Sequence, residues 1–246
     1  MTDRIILHGM NSPNVTKVLL MLEECALDYE TRHVAVFKQE QFDPAFLKLN
    51  PLGKVPVLED SKLGVPIAES GAIMLWLAER EGKFLPTTQP ARAEVMHWLM
   101  VQMANYGPML GQLNHFRLVL RPGTEPYAEA RYAAAAERLY RLLDDRLTAR
   151  EWIAGGDYSV ADMAIYPWSY YLEFHGFDPA AHPALIGWRE RVAARPAVQR
   201  AQGRSQEDFS EVANRTRKAA TGEDLDKFFG RTQQVPAADF TAVVEQ

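Results

Sequence analysis

The chain of 246 residues holds one cysteine, Cys25, so no disulfide can close within it and the usual cysteine-based zinc motifs are excluded. Its six histidines, at 8, 33, 97, 115, 175 and 182, fall at no metal-ligand spacing, and no metal is expected. No apolar run approaches the roughly 18 residues that a membrane helix needs, so a membrane is not an expected partner. The opening Met1-Thr2-Asp3-Arg4 leads directly into a strand-like run without the pattern of a secretory signal, which makes the cytoplasm the expected location. Neither a Rossmann nor a Walker pattern occurs, and Gly155-Gly156 reads as a turn. A net charge of −5 argues against nucleic acid as the main partner. Tyrosine is absent between Met1 and Ala26.

What remains is a globular composition, 47% hydrophobic and 24% charged, long enough for one or two domains with a real core. Arg4 to His8 reads as a strand, and Pro13 opens a helix running to about Ala26 with Val15, Val18, Leu19 and Leu22 on one face. Tyr29 to Val36 is a second strand, and Asp43 caps a short helix that starts at Pro44. Val55 to Glu59 and Pro66 to Ala68 form a hairpin, and a helix from Glu69 to about Glu79 closes the unit. This β-α-β-α-β-β-α order predicts a thioredoxin-like α/β domain over residues 1–80.

Residues 81–90, broken by Gly82, Pro86 and Pro90, read as a linker. Beyond it strand signals vanish, and residues 91–202 are predicted to form an all-α helical bundle. Its helices are Ala91–Leu113, reshaped at Gly107-Pro108, then Pro126–Leu147, Tyr158–Phe174 and Leu185–Ala194. Ser159-Val160-Ala161-Asp162 is a capping pattern, read as structural. Residues 203–246 change to a polar extension carrying Arg215-Thr216-Arg217-Lys218, with Asp224–Phe229 good for a turn or two of helix. The extension is expected to be partly ordered and to lie over the bundle or a partner subunit.

Two motifs carry chemistry. In Asn50-Pro51-Leu52-Gly53-Lys54-Val55-Pro56-Val57-Leu58, a cis bond before Pro56 would leave the backbone of Val55 free to pair with an extended peptide. In Ala68-Glu69-Ser70-Gly71-Ala72-Ile73, Glu69 and Ser70 fall at a helix N-terminus, where free N–H groups favour a ligand carboxylate.

With Ser159-Val160-Ala161-Asp162 before Tyr166-Pro167-Trp168 as the third motif, the chain resembles the cytosolic glutathione transferase superfamily over about residues 4–200. Ser12-Pro13-Asn14, Gly107-Pro108-Met109-Leu110-Gly111-Gln112 and Asn114-His115-Phe116 make it look most like the bacterial nu class and its disulfide-bond oxidoreductase relatives. The resemblance implies a homodimer that binds glutathione, one or two per subunit, and acts on a small-molecule electrophile or disulfide. It implies reduction of small disulfides or peroxides by the bound thiolate, with weaker conjugation. In a glutaredoxin-like alignment Ser12 stands at the attacking cysteine and Val15 at the resolving one, so glutathione must bring the sulfur.

The same resemblance assigns roles. Asn14 and Ser12 would stabilise the thiolate, with helix capping as their structural alternative. Val55, after Lys54 and before Pro56, would pair with the cysteinyl unit, and Glu69 and Ser70 would hold the γ-glutamyl end. Gln41 and Lys54 would meet the glycyl end, and Arg131 a second glutathione, unless it is a solvated arginine on an Ala/Glu-rich helix. Met10, Tyr106, Met109, Phe116 and Tyr166 would line the substrate pocket, although such residues equally serve a core. Two other functions stay open: an ether-cleaving glutathione lyase on aromatic substrates, and a non-catalytic binding or regulatory protein of the same fold.

Overall fold

The computed structural model describes residues 4–119 and 123–230. Strand β1 (Ile5–Gly9) is followed by α1 (Pro13–Glu24), β2 (Glu30–His33), α2 (Pro44–Leu47), β3 (Val57–Asp60), β4 (Pro66–Ala68) and α3 (Ser70–Glu81). The sheet order is β2-β1-β3-β4. β1 runs parallel to β2 and antiparallel to β3, with Leu7 opposite Leu58, and β3 pairs antiparallel with β4. This is the thioredoxin-like arrangement. Ser12 caps α1 by accepting from the Val15 N–H at 3.3 Å, and Pro13 occupies the first turn, where its missing N–H costs nothing.

Two strand bounds differ from expectation for local reasons. β2 ends at His33 because Val34, Ala35, Val36 and Phe37 are all buried, which breaks the alternation a half-buried strand requires. The chain coils there into a 3₁₀ turn over Val36–Lys38. β3 begins at Val57 rather than Val55 because Pro56 has no N–H to give the ladder; the Val55-Pro56 bond is cis.

The helical part comprises α4 (Ala91–Val101), α5 (Gly107–Asn114), α6 (Pro126–Thr148), α7 (Val160–Ser169), α8 (Tyr171–Phe174), α9 (Pro183–Ala193), α10 (Pro196–Ser205), α11 (Glu211–Lys218) and α12 (Gly222–Phe228). α4 and α5 are joined by a widened π turn over Gln102–Tyr106, where Gly107 donates to the Gln102 carbonyl. Pro108 cannot donate to the ladder, so the turn before it opens instead of continuing as α-helix. A Cβ on Gly107 would lie 2.8 Å from Gln102 Nε2, and one on Gly71 would lie 2.7 Å from Met103 Sδ. The two glycines thus let α3 close against the widened turn.

Asp162 anchors the bundle. Its carboxylate accepts from the N–H groups of Ile153 (2.9 Å) and Ser159 (3.0 Å), from the Ser159 hydroxyl (3.1 Å) and from Trp188 Nε1 (2.9 Å). Burial still pushes its pKa up to about 6, against the lowering effect of those donors.

The segment after Gly203 carries more helix than expected, reaching Phe228, and it runs against the sheet domain as well as the bundle. α10 packs on α1, and the π turn Gln206–Ser210 packs on β2. α12 then docks beside Val36–Lys38. Its own capping box, Thr221 with Asp224, fixes its start. Lys38 Nζ meets the Asp224 carboxylate at 3.1 Å and also the Ala219 carbonyl, while Gln39 Nε2 donates to the Asp224 carbonyl at 2.6 Å. Leu225, 4% exposed, sits among Val34, Val36, Phe46 and Val57. On its far side Phe229 stands 5.2 Å from the His115 ring, so α12 spans from the sheet domain to the end of α5. Among the described residues, no helix is long and apolar enough to cross a membrane.

Candidate active site

A cleft of about 350 Å³ opens where α1, the cis turn and the start of α3 face the widened turn after α4. Its walls bring together Asn14, Lys54, Val55, Pro56, Glu69 and Ser70, six of the residues assigned from the sequence. Asn50 fixes the loop beneath them, donating from Nδ2 to the Lys54 carbonyl at 2.7 Å and accepting from the Leu52 N–H at 3.1 Å. Glu69 holds a positive φ of 68° just before α3. That strained geometry is unusual for a residue with a side chain, and it is a common mark of functional positions.

Lys17 is the residue that sequence reasoning passed over. It is 1% exposed, lines the cleft floor, and donates from Nζ to Gln102 Oε1 at 2.7 Å and to Ser70 Oγ at 3.4 Å. Burial holds its pKa well below the ordinary lysine range, with Glu69 pulling weakly the other way. The signal was present: Lys17 is the one charged residue between Ser12 and Glu23, on a helix that is otherwise apolar or neutral there. Gln102 and Met103, which also line the cleft, gave no sequence signal that separates them from ordinary bundle residues, whereas Gln112 and Trp168 lie in motifs that carry the family resemblance but were assigned no role at the site. Trp168 Nε1 donates to Asn14 Oδ1 at 3.2 Å, tying α7 to the first turn of α1.

The other assigned residues lie elsewhere. Ser12 and Tyr166 line a second cavity on the other side of the first turn of α1. Met10 and Phe116 pack into the apolar cluster around Leu225 and Phe229, beside α12. Met109 is partly buried against the main core. Tyr106 is a correction: it is wholly buried and meets the Tyr140 ring edge-on at 5.8 Å, because the widened turn rotates it into the bundle. Gln41 is 3% exposed under its loop and is not among the residues lining the cleft, and its amide oxygen is unpartnered among the described residues. Arg131 is exposed on α6 and lines neither cavity. Cys25 is buried at the end of α1, and burial pushes its thiol up to about 11, which keeps it protonated and unreactive near neutral pH.

The model of the glutathione S-transferase N-terminal domain matches residues 11–80, and that of the C-terminal domain matches residues 106–196. The Escherichia coli disulfide-bond oxidoreductase YfcG is 41% identical over 199 residues, covering 79% of this chain and 92% of its own. A second E. coli disulfide-bond oxidoreductase, YghU, is 34% identical over 210 residues, covering 79% of this chain and 72% of its own. The crystal structure of a glutathione transferase family member from Pseudomonas fluorescens pf-5 with two glutathione bound superposes with a TM-score of 0.74 at 37% identity, covering 80% of this chain and 91% of that one. α11 and α12 lie beyond the residues matched by the two domain models. On its sequence, its two-part fold and these matches, the chain belongs to the glutathione S-transferase family.

Proposed function

We propose that the protein is a glutathione-dependent disulfide reductase in which glutathione brings the reacting thiol and the protein brings the cradle. The observation that carries this reading is a single cleft holding Asn14, Lys17, Val55 and Ser70 in a chain whose only thiol, Cys25, is buried with a raised pKa. The disulfide-bond oxidoreductase activity named for YfcG and YghU supports it, as do the two glutathiones in the Pseudomonas crystal structure.

In this reading the backbone of Val55, turned outward before the cis proline, pairs with the cysteinyl unit of glutathione. The γ-glutamyl carboxylate takes the N-terminus of α3, the Ser70 hydroxyl and the buried cation of Lys17, while Glu69 takes the γ-glutamyl amine. Lys54 faces the glycyl carboxylate. An unperturbed thiol has a pKa of about 8.5, so N–H donors at the sulfur are needed to hold it as thiolate near neutrality. The Asn14 amide and the first turn of α1 supply them; a neutral amide polarises but takes no proton.

The thiolate attacks one sulfur of R–S–S–R′, forming G–S–S–R as the S–S bond breaks, and R′–S⁻ leaves and takes a proton from water. A second glutathione attacks the mixed disulfide, releasing R–SH and glutathione disulfide. Small peroxides and weak conjugation of electrophiles draw on the same thiolate, and the reading includes a homodimer. The test compares reduction of a glutathione–mercaptoethanol mixed disulfide with conjugation to an aromatic halide, each with glutathione as thiol. Faster disulfide reduction supports the proposal. A faster conjugation contradicts it, and bound glutathione with neither activity sinks the enzymatic reading.

A further inference from the structure

The second cavity, about 460 Å³, lies between the first turn of α1, the end of α7 with α8, and the α10–α11 segment. It shares two walls with the glutathione cleft. Asn14 and Lys17 of α1 face the cleft, whereas Ser12 and Thr16 face the second cavity; on α7, Trp168 faces the first and Tyr166 the second. The first turn of α1 therefore borders both spaces. The walls of the second cavity are aromatic on one side, with Tyr166, Tyr171 and Phe174, and carry hydroxyl and amide groups on the others.

One side chain there is charged. Arg217, from the basic run Arg215-Thr216-Arg217-Lys218, is the sole ionised residue among the described residues that line the cavity. Its Nε is shut off from solvent, and among the described residues it has no hydrogen-bond partner and its guanidinium no carboxylate to pair with. The nearby arginines are engaged: Arg189 with Glu173, and Arg204 with Asp208. A guanidinium is a planar fork of donors, and a buried donor without an acceptor is costly unless a ligand completes it. The acceptor that matches the fork in shape and charge is a carboxylate.

We propose that this cavity is the acceptor site and that Arg217 selects acceptors bearing a carboxylate next to a small aromatic or aliphatic thiol unit. The proposal rests on the glutathione reading above and deepens it, because it names the substrate class. The aromatic wall takes the apolar body of the acceptor, the shared first turn of α1 takes its sulfur, and Arg217 takes its charge. Arg217 lies past the residues matched by the two domain models, so this selectivity belongs to the extension of this chain.

The experiment uses two ligands that cannot turn over, S-benzylglutathione and S-(4-carboxybenzyl)glutathione, with calorimetric binding to the full chain and to its Arg217→Gln and Arg217→Lys variants. The parent should bind the carboxylated ligand about tenfold more tightly than the neutral one, the range expected for a charge-assisted hydrogen bond. Arg217→Gln should abolish that preference while leaving the affinity for S-benzylglutathione within about twofold, and Arg217→Lys should restore part of it. Equal affinities in the parent, a preference that survives Arg217→Gln, or equal weakening of both ligands would overturn the proposal and leave the glutathione reading intact. Failure of S-benzylglutathione to bind the parent would sink both.

Discussion

Trp168 donates its indole N–H to Oδ1 of Asn14 at 3.2 Å. An indole nitrogen can only donate, so this bond fixes which end of the Asn14 amide is turned away and leaves the NH₂ free for a ligand sulfur in the cleft. Trp168→Phe should lower turnover with glutathione by about tenfold while changing glutathione affinity by no more than about twofold. Asn14→Ala should act in the same direction, whereas Ser70→Ala should weaken glutathione binding itself. Steady-state kinetics beside equilibrium binding separates these, and equal loss of affinity in both Asn14→Ala and Ser70→Ala with unchanged turnover of the bound complex contradicts the role of Asn14.

Lys17 should take up a proton when an anion arrives. Burial lowers its pKa in the free protein, and a carboxylate at Ser70 would raise it again, in the window between the lowered value and the ordinary ~10.4 of a lysine. Binding of S-methylglutathione, which has no thiol to ionise, should therefore show proton uptake in calorimetry across buffers of different ionisation heat. Lys17→Met should abolish the uptake and cost at least about tenfold in affinity. Uptake that persists in Lys17→Met would assign the proton to another group.

Asp162→Ala should destabilise the fold by about 3 kcal/mol or more, since four buried donors lose their acceptor at once. The penalty should depend on pH. The folded pKa of Asp162, about 6, is raised above its unfolded value, so the folded state holds this proton more tightly. The stability contributed this way is complete below about pH 4 and is lost as pH rises through about 6. Denaturation of parent and variant should accordingly show a larger difference at the acid end of that window than at neutral pH; a difference that shrinks on acidification refutes the assignment.

Leu225→Asp should undock α12 without unfolding the protein. Leu225 is buried among Val34, Val36, Phe46 and Val57, and losing that burial at about 2 kcal/mol corresponds to roughly a thirtyfold rise in local opening. Amides of Gly222–Phe228 should exchange correspondingly faster, while those of β1 and β3 keep their rates. Equal acceleration throughout would mean that α12 belongs to the global folding unit.

The thioredoxin-like order, the cis turn and the Asp162 box were legible because each has a short local cause: an X–Pro bond, a capping hydroxyl, a period of two or of 3.6. What escaped depends on contacts distant in sequence. Lys17 meets Gln102 across 85 positions, and Asn14 meets Trp168 across 154, and neither pairing leaves a periodicity to read. Tyr106 failed as a pocket residue because the widened turn Gln102–Tyr106 changes which side of the helix it occupies. The path of the extension onto the sheet domain escaped for a different reason. α11 carries few apolar residues, and it is Phe209 of the π turn with Leu225 and Phe228 of α12, on either side of α11, that hold this segment to the sheet domain.

The account stands most directly on the ionisation of glutathione in the cleft, read as thiolate ultraviolet absorbance of the bound complex against pH. It predicts a midpoint below the ~8.5 of an unperturbed thiol in the parent, moving upward in Asn14→Ala and left in place by Cys25→Ser. A midpoint that is the same in parent and Asn14→Ala, or that shifts when Cys25 is replaced, contradicts it.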